Sequence, residues 1–270
     1  MSDRALVLEG GGMRGIFTAG VLDSFLDKDI NFQYIIGVSA GCSNALNFIS
    51  KQHGRALYIH TTLLDNYKYI GLRSWLKTGE IVDNDLLYNK LLQEIYPFDF
   101  ESFSADKATF ESVATNALTG DACYMSKPTD IEQLKLNCMA SGSLPIVNHA
   151  VVIDGIPMVD GGVADSIPIE RALSLGYKDI VVVLTQERGF RKGVSRFKIP
   201  QFACRKYPKV IEMLNTRATR YNQQIELVEQ LEQRGEIRVI RPTQPLQVGR
   251  LTTDTRRLKD LYDKGYTSVW

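Results

Sequence analysis

The fold is decided by residues 5–41, which read ALVLEGGGMRGIFTAGVLDSFLDKDINFQYIIGVSAG. The apolar runs at 5–8 and 34–38 have the length and composition of buried strands. Each run is followed by a glycine-containing turn and then by apolar residues at helical spacing. Strand, helix, strand, helix is typical of a parallel sheet with helices on both faces. We therefore predict a three-layer α/β/α fold around a largely parallel central sheet.

The rest of the chain extends this pattern. Residues 55–105 are rich in Tyr and Leu and show no strand pattern, so we predict a helical insertion there. The dipeptide Asp154-Gly155 lies between two short apolar runs and predicts a β-hairpin. We assign residues 1–190 to a catalytic region and residues 191–270 to an extension packed on the same domain. Further strands are predicted at 110–117, 180–184 and 237–240, and further helices at 131–139, 211–231 and 255–266.

The bulk composition describes an ordinary globular protein. Of the 270 residues, 44% are hydrophobic and 23% are charged, which argues against disorder. The net charge of +1 gives no reason to expect a nucleic-acid partner. We find no secretory signal, no apolar run of transmembrane length and no C-x-x-C pair among the four cysteines. These observations predict a cytoplasmic protein and leave its oligomeric state open.

The charge is unevenly distributed along the chain. Residues 188–211 contain eight basic side chains and no acidic one. A mixture of basic and aromatic side chains suits the surface of an anionic membrane. We therefore predict peripheral membrane contact through residues 188–209, with a solvated loop as the alternative. The aromatic members of this segment are Phe190, Phe197, Phe202 and Tyr207.

Ser39 is the centre of the pentapeptide Gly37-Val38-Ser39-Ala40-Gly41. This sequence fits the G-x-S-x-G nucleophile elbow, a sharp strand-to-helix turn in which Gly37 and Gly41 relieve crowding. In α/β-hydrolases an acid and then a histidine follow the serine. The last histidine of this chain is His149. If Ser39 is a nucleophile, we expect its base to be a group other than histidine.

A glycine loop, Gly10-Gly11-Gly12-Met13-Arg14-Gly15, follows the first strand and matches G-x-G-x-x-G. A dinucleotide site would need an acidic residue about 20 positions later, and a P-loop would need Gly-Lys-Ser/Thr; neither is present. The N–H groups of Gly10, Gly11 and Gly12 suit an oxyanion hole instead, because amides at a helix start attract negative charge. Since consecutive strands are usually neighbours, this loop is expected beside Ser39.

Asp160 provides a candidate base in the tripeptide Asp160-Gly161-Gly162, which follows the predicted hairpin. In isolation, an ordinary turn is the alternative for these residues. Together with Gly-Gly-Gly-x-Arg-Gly and Gly-x-Ser-x-Gly, in that order, the tripeptide resembles the patatin-like phospholipases. The stretch Ala140-Ser141-Gly142-Ser143-Leu144-Pro145 resembles the same family, and the resemblance covers residues 5–185.

The resemblance implies a Ser39–Asp160 dyad that hydrolyses lipid acyl esters in the manner of a phospholipase A or lysophospholipase. It also implies oxyanion donors from the glycine loop, with Arg14 beside them, and no metal or organic cofactor. Gly161 and Gly162 belong to the acid motif. Ser166 departs from the family, which commonly has Asn there, and this departure affects a supporting hydrogen bond and not the dyad.

Two alternatives remain open. The first is an ordinary α/β-hydrolase in which His149 is the base and an acid such as Asp130 supports it, so that Asp160 is idle. The second is a lipid-binding or regulatory module with an inactive site. In either case, apolar residues of the insertion are candidates for lining or covering an acyl-chain pocket. They are Tyr67, Tyr69, Ile70, Leu72 and Trp75.

Overall fold

The structure is a computed structural model that describes residues 3–193 and 198–269. In this part of the chain, eight strands form one sheet in the order β5-β6-β3-β2-β1-β7-β8, and β4 pairs with β3 outside that path. β3, β2, β1, β7 and β8 are parallel, which confirms the prediction. The strands are β1 (Arg4–Leu8), β2 (Tyr34–Val38), β3 (Thr109–Asn116), β4 (Ala122–Ser126), β5 (Val151–Ile153), β6 (Ile156–Asp160), β7 (Asp179–Val183) and β8 (Ile237–Ile240).

Helices cover both faces of the sheet. The α-helices of the described chain are α1 (Ile16–Asp27), α2 (Ala40–Ile49), α3 (Arg55–Tyr58), α4 (Leu64–Tyr67), α5 (Leu72–Thr78), α6 (Phe100–Ala105), α7 (Ile131–Gly142), α8 (Ile169–Ser174), α9 (Pro208–Gln233) and α10 (Thr255–Thr267). Two π-helices (Ile59–Leu63 and Leu86–Ile95) and three 3-10 turns (Gly12–Gly15, Gly161–Val163 and Gln201–Cys204) complete them. None of these helices is long and apolar enough to cross a membrane.

The alternation of side chains along β1 divides the core into two halves. Leu6 and Leu8 pack with α1, α2, α10 and the insertion, whereas Ala5 and Val7 pack with α8 and α9. A strand that is buried on both faces has no polar face, which explains the continuous apolar run in the sequence. The insertion at 55–105 is helical as predicted, apart from one bridge between Ile70 and Val82.

The C-terminal segment, which we define as residues 207–269, contributes to the same core. β8 pairs in parallel with β7, and α10 packs along α1. The division of the chain at residue 190 stays a prediction. The sequence did not lead us to expect β4 or α8. No residue of β4 is fully buried, so the strand lacks the alternation of buried and exposed residues that marks a strand in the sequence.

Candidate active site

Ser39 lies between the end of β2 and the start of α2 and has φ 53° and ψ −119°. A positive φ is strained for a residue other than glycine and persists only where the surrounding structure enforces it. The packing around Gly41 explains part of that enforcement. A Cβ added to Gly41 would lie 2.6 Å from the carbonyl oxygen of Leu8, so only glycine lets the turn come this close to β1. The backbone therefore makes a sharp strand-to-helix turn at Ser39, and the role of Ser39 as a nucleophile stays a prediction.

Two serines of the stretch 140–145 hold the elbow and the Asp160 turn together. The Ser39 N–H donates to Ser141 Oγ at 2.8 Å, and that hydroxyl donates to the Val113 carbonyl at 2.6 Å. The Asp160 N–H donates to the Ser143 carbonyl at 2.8 Å. One short segment at the end of α7 therefore positions the backbone of both Ser39 and Asp160.

The register of the sheet brings Asp160 close to Ser39. Val38 pairs with Val113, and the next residue of β3, Ala114, pairs with Asp160. Asp160 therefore lies one residue further along the sheet than Val38, at the level where the chain leaves β2 at Ser39. The Asp160 carboxylate is buried, and its Oδ1 accepts a hydrogen bond from the Gly162 N–H at 2.7 Å. Both residues line a common cleft.

The glycine loop borders the same cleft. A Cβ added to Gly10 would lie 3.3 Å from Ser39 Cβ, so the loop lies directly against the serine. The backbone N–H groups of Gly11 and Gly12 have no acceptor in the described part of the chain. Two such donors in a cleft are able to stabilise an oxyanion. Arg14, Gly37, Gly41 and Gly161 do not line the cleft, although the sequence placed Arg14 beside the donors.

The insertion forms an apolar wall of this cleft, whose empty volume is about 1030 Å³ with its open mouth included. Tyr69 and Ile70 belong to the wall, as the sequence suggested, whereas Tyr67, Leu72 and Trp75 are exposed and lie outside it. The wall continues into an inner chamber that shares several of its residues. The wall includes Ala56, Ile59, Tyr69, Ile70, Val82, Leu87 and Tyr88, and the chamber adds Leu46, Leu91, Leu92, Phe98 and Leu134.

The C-terminal segment contributes positive charge that the sequence gave no reason to expect. Arg217 of α9 and Arg250 both line the cleft. Burial, reinforced by the charge of Arg250, lowers the pKa of Arg217 to about 10. No hydrogen bond or ion pair joins the Arg250 guanidinium to a residue in the described ranges. Two cations that repel each other beside an open cleft are suited to an anionic ligand.

Lys192 lies behind these arginines, with Nζ 3.2 Å from the ring centroid of Tyr221. Burial lowers the pKa of Lys192 to about 6, and the charges of Arg217, Arg250 and Arg14 add to this effect. Tyr221 donates a hydrogen bond to Glu9 Oε1 at 2.9 Å. Glu9 Oε2 accepts from the backbone and the hydroxyl of Thr185, so this carboxylate is fully occupied.

Arg217 also supports the acid motif. Its Nε donates to the Gly162 carbonyl, and its Nη2 lies 3.4 Å from Ser166 Oγ. Ser166 in turn donates to the same carbonyl at 2.8 Å. Support for the Asp160 turn therefore comes from Ser166 and from a residue 51 positions further along the chain. The contact between Arg217 and Ser166 could not be expected from a short sequence motif, because the two residues are 51 positions apart.

The histidines do not form a triad with Ser39 in this structure. The His149 side chain is 81% exposed, pairs with Glu80 and does not line the cleft. Asp130 caps the start of α7, where it accepts from the Gln133 N–H, and is exposed. His60 lines the apolar wall, but its Nδ1 faces the Ala56 carbonyl at 2.8 Å, and burial lowers its pKa. The geometry disfavours the His149 alternative.

No cluster of three or more metal-ligating side chains occurs within residues 3–193 and 198–269. The predicted membrane segment is more strongly neutralised than its sequence indicates. Arg188 pairs with Glu232 and Arg191 pairs with Glu229, both on α9. Lys209 pairs with Glu212. Arg196 and Phe197, which belong to the same prediction, lie outside the described residues.

Comparison with known proteins identifies the two parts of the chain. Residues 6–173 match the Patatin-like phospholipase family, and residues 207–269 match a domain of unknown function, DUF6363. The uncharacterized protein YjjU of Escherichia coli strain K12 is 31% identical over 187 residues, which cover 67% of this chain and 51% of that protein. The crystal structure of VipD from Legionella pneumophila matches with a TM-score of 0.47 and 14% identity, over 98% of this chain and 65% of that one.

Proposed function

The chain belongs to the patatin-like phospholipase family, and we propose that it hydrolyses lipid acyl esters with a Ser39–Asp160 dyad. Family membership indicates lipid acyl hydrolase activity in general. The observation that supports the dyad is the register of the sheet, in which Asp160 follows Val38 in the row where Ser39 leaves β2. The chain spans about half the length of its relative YjjU, so the activity of the whole protein belongs to the proposal as well.

In the proposed reaction, Ser39 Oγ attacks the ester carbonyl carbon while Asp160 takes the hydroxyl proton. The N–H groups of Gly11 and Gly12 donate to the developing oxyanion, and each such donor is worth about two to three orders of magnitude in rate. Collapse of the tetrahedral intermediate expels the alcohol, which receives the proton from Asp160. Water, deprotonated by Asp160, then attacks the acyl-enzyme, and the released Ser39 oxygen regains a proton.

The two walls of the cleft suggest how a lipid binds. The acyl chain fits the apolar wall and the inner chamber, because aliphatic and aromatic side chains predominate in both, although Ser43, Asn47 and Arg55 also line the chamber. The head group is then expected near Arg217 and Arg250, which favours an anionic group such as a phosphate. This arrangement is consistent with a phospholipase A or lysophospholipase-like substrate, acted on by a cytoplasmic protein that contacts the membrane peripherally.

The first test locates the nucleophile. A fluorophosphonate probe should label Ser39, and Ser39→Ala should abolish both labelling and the hydrolysis of a short-chain p-nitrophenyl ester. Asp160→Asn should lower turnover about 10³-fold or more, because it keeps the shape but removes the proton acceptor. Asp154→Asn is the matched control: Asp154 is exposed in the same hairpin and has φ 51°, a conformation that Asn tolerates.

The same experiment separates the alternatives. His149→Gln should retain wild-type turnover within about twofold, whereas removal of a triad base costs about 10⁴-fold. A loss of that size in a folded His149→Gln protein would favour the histidine mechanism. An unlabelled wild-type protein without turnover on any acyl ester, but with measurable lipid binding, would identify the chain as an inactive lipid-binding module.

A further inference from the structure

The helix α5 presents an uncovered apolar face at the edge of the insertion. Leu72, Trp75 and Leu76 are 70%, 49% and 72% exposed. Their spacing of i, i+3 and i+4 puts all three on one side of the helix. Ser74 faces the opposite way and is buried, with its Oγ donating to the Glu80 carbonyl at 2.9 Å. The helix is therefore held by its polar side while its large apolar side chains point to solvent.

The helix α5 itself carries only basic charge, Arg73 and Lys77, although Asp65, Glu80 and Asp83 lie near it in the sequence. Residues 66–79 contain Lys68, Arg73 and Lys77 and no acidic side chain. Lys68 and Lys77 reach Asp65 and Asp83 at the base of the helix, and Arg73 has no ion pair in the described part of the chain. Exposed Leu and Trp combined with basic residues are typical of segments that lie in the interface of an anionic bilayer.

The loop that carries α5 is continuous with the wall of the cleft. Ile70 and Val82 form a β-bridge at its base, and both side chains line the cleft. The Gly71 N–H donates to the Ile81 carbonyl at 2.8 Å, which closes the base further. The exposed face thus begins two residues after a cleft residue. A lipid surface in contact with α5 would lie next to the apolar wall that receives an acyl chain.

We propose that α5 is the membrane-docking surface of this protein and that it inserts Leu72, Trp75 and Leu76 into the interface of an anionic bilayer. The occupant is a lipid surface and not another protein, because the cleft wall that adjoins α5 at Ile70 and Val82 is lined for an acyl chain, and Arg73, which has no ion pair in the described ranges, is available to an anionic head group. This inference rests on the proposed function only for the lipid character of the substrate. It assigns the main membrane contact to the insertion and only a minor contribution to residues 188–209.

The test uses the 270-residue chain with Ser39→Ala, so that the vesicle lipids are not hydrolysed during the measurement. Trp75 and Trp270 are the two tryptophans of the chain, and Trp270→Phe makes Trp75 the only reporter. Vesicles of equal parts phosphatidylcholine and phosphatidylglycerol should shift Trp75 fluorescence to shorter wavelength, and brominated acyl chains should quench it. The combined change Leu72→Gln, Trp75→Gln and Leu76→Gln, followed by co-sedimentation, should lower vesicle partitioning about 100-fold.

Leu118→Gln and Leu175→Gln are matched controls, because both leucines are exposed but lie far from α5 in the sequence. They should leave partitioning within about twofold of the parent. In a Ser39 background, the α5 variant should keep its turnover of a soluble short-chain ester but lose turnover of vesicle lipid. Unchanged partitioning of the α5 variant would overturn the proposal. So would a dimer in vesicle-free solution that the α5 changes dissociate, combined with no Trp75 shift on vesicles.

Discussion

The helical insertion, residues 55–105, contributes almost only hydrophobic side chains to the cleft, whereas the C-terminal segment, residues 207–269, contributes Arg217, Arg250 and Leu251. The insertion is built as helices beside the sheet, with one isolated bridge. The C-terminal segment adds a strand to the sheet and a helix against α1. The insertion therefore forms an apolar site suited to an acyl chain, and the C-terminal segment supplies two half-buried positive charges.

This difference shows that a segment at the end of the chain, outside the matched patatin region, contributes to the cleft as directly as the insertion does. Both arginines that line the cleft come from a segment that matches a family of unknown function. The contact of Arg217 with the Asp160 turn links that segment to the candidate catalytic residues directly.

The C-terminal segment should unfold together with the sheet. A Cβ added to Gly265 of α10 would lie 2.1 Å from the carbonyl oxygen of Phe17 in α1, so Gly265→Ala must push the two helices apart. We expect a loss of about 3 kcal/mol in the free energy of unfolding, measured by urea denaturation. Gly249→Ala is the control, since its nearest atom would lie 3.6 Å away. Equal stability of the two variants would make α10 a peripheral element.

The insertion should determine the preference of the enzyme for acyl chains of a given length. Leu87 lines both the cleft and the inner chamber, so Leu87→Trp should block the path of a long chain. The ratio of kcat/KM for a long-chain ester to that for a short-chain ester should fall about thirtyfold, as expected when a hydrophobic pocket loses space for several methylenes. Leu118→Trp, on an exposed turn, should keep the wild-type ratio. A uniform loss on both esters would contradict a chain-length role.

The C-terminal segment should bind anions. Arg250→Gln should weaken competitive inhibition by inorganic phosphate about tenfold, because a hydrogen bond to a charged group is worth about 1.5–3 kcal/mol. Arg256→Gln, whose side chain is 96% exposed, serves as control. A lysophospholipid that competes with phosphate in the wild type, but equally well with Arg250→Gln, would show that the head group lies elsewhere.

The pH dependence of this inhibition sharpens the test. The pKa of Lys192 is lowered to about 6, and a bound anion would raise it, so binding should take up a proton. An alkyl sulfate, whose charge does not change in this range, should therefore bind more tightly as the pH falls from about 8 towards 6, and the gain should level off below that value. The charged and titratable groups that face Lys192 are Glu9, Arg14, Arg217, Tyr221 and Arg250.

The smallest effects should come from residues 188–209. Lys206 is exposed without an ion pair in the described ranges, and a basic residue near an anionic membrane contributes about 1 kcal/mol, so Lys206→Gln should lower vesicle affinity about fivefold at low salt. The charge of Arg191 is already neutralised by its ion pair with Glu229, so Arg191→Gln should change vesicle affinity less than about twofold. Equal losses would mean that the α9 carboxylates do not shield this segment.

Local patterns determined much of this protein in advance. The strands β1, β2, β7 and β8, the hairpin at Asp154 and the insertion follow from apolar periodicity and turn chemistry, which act over a few residues. The order of the motifs was sufficient to identify the family. The sharp turn at Ser39 was likewise expected from the G-x-S-x-G pattern, and the structure gives it a positive φ.

Only the tertiary structure decided which charges meet. The basic segment at 188–209 has no acid of its own, yet Glu229 and Glu232 neutralise two of its arginines from the far half of α9. Arg217 reaches the Asp160 turn from the first half of the same helix, and Arg250 reaches the cleft from a loop before α10. These pairs are separated by tens of residues, and side-chain charge carries no periodic signal along the chain. Their meeting depends on how β8 and the helices around it close against the sheet, which periodicity does not encode.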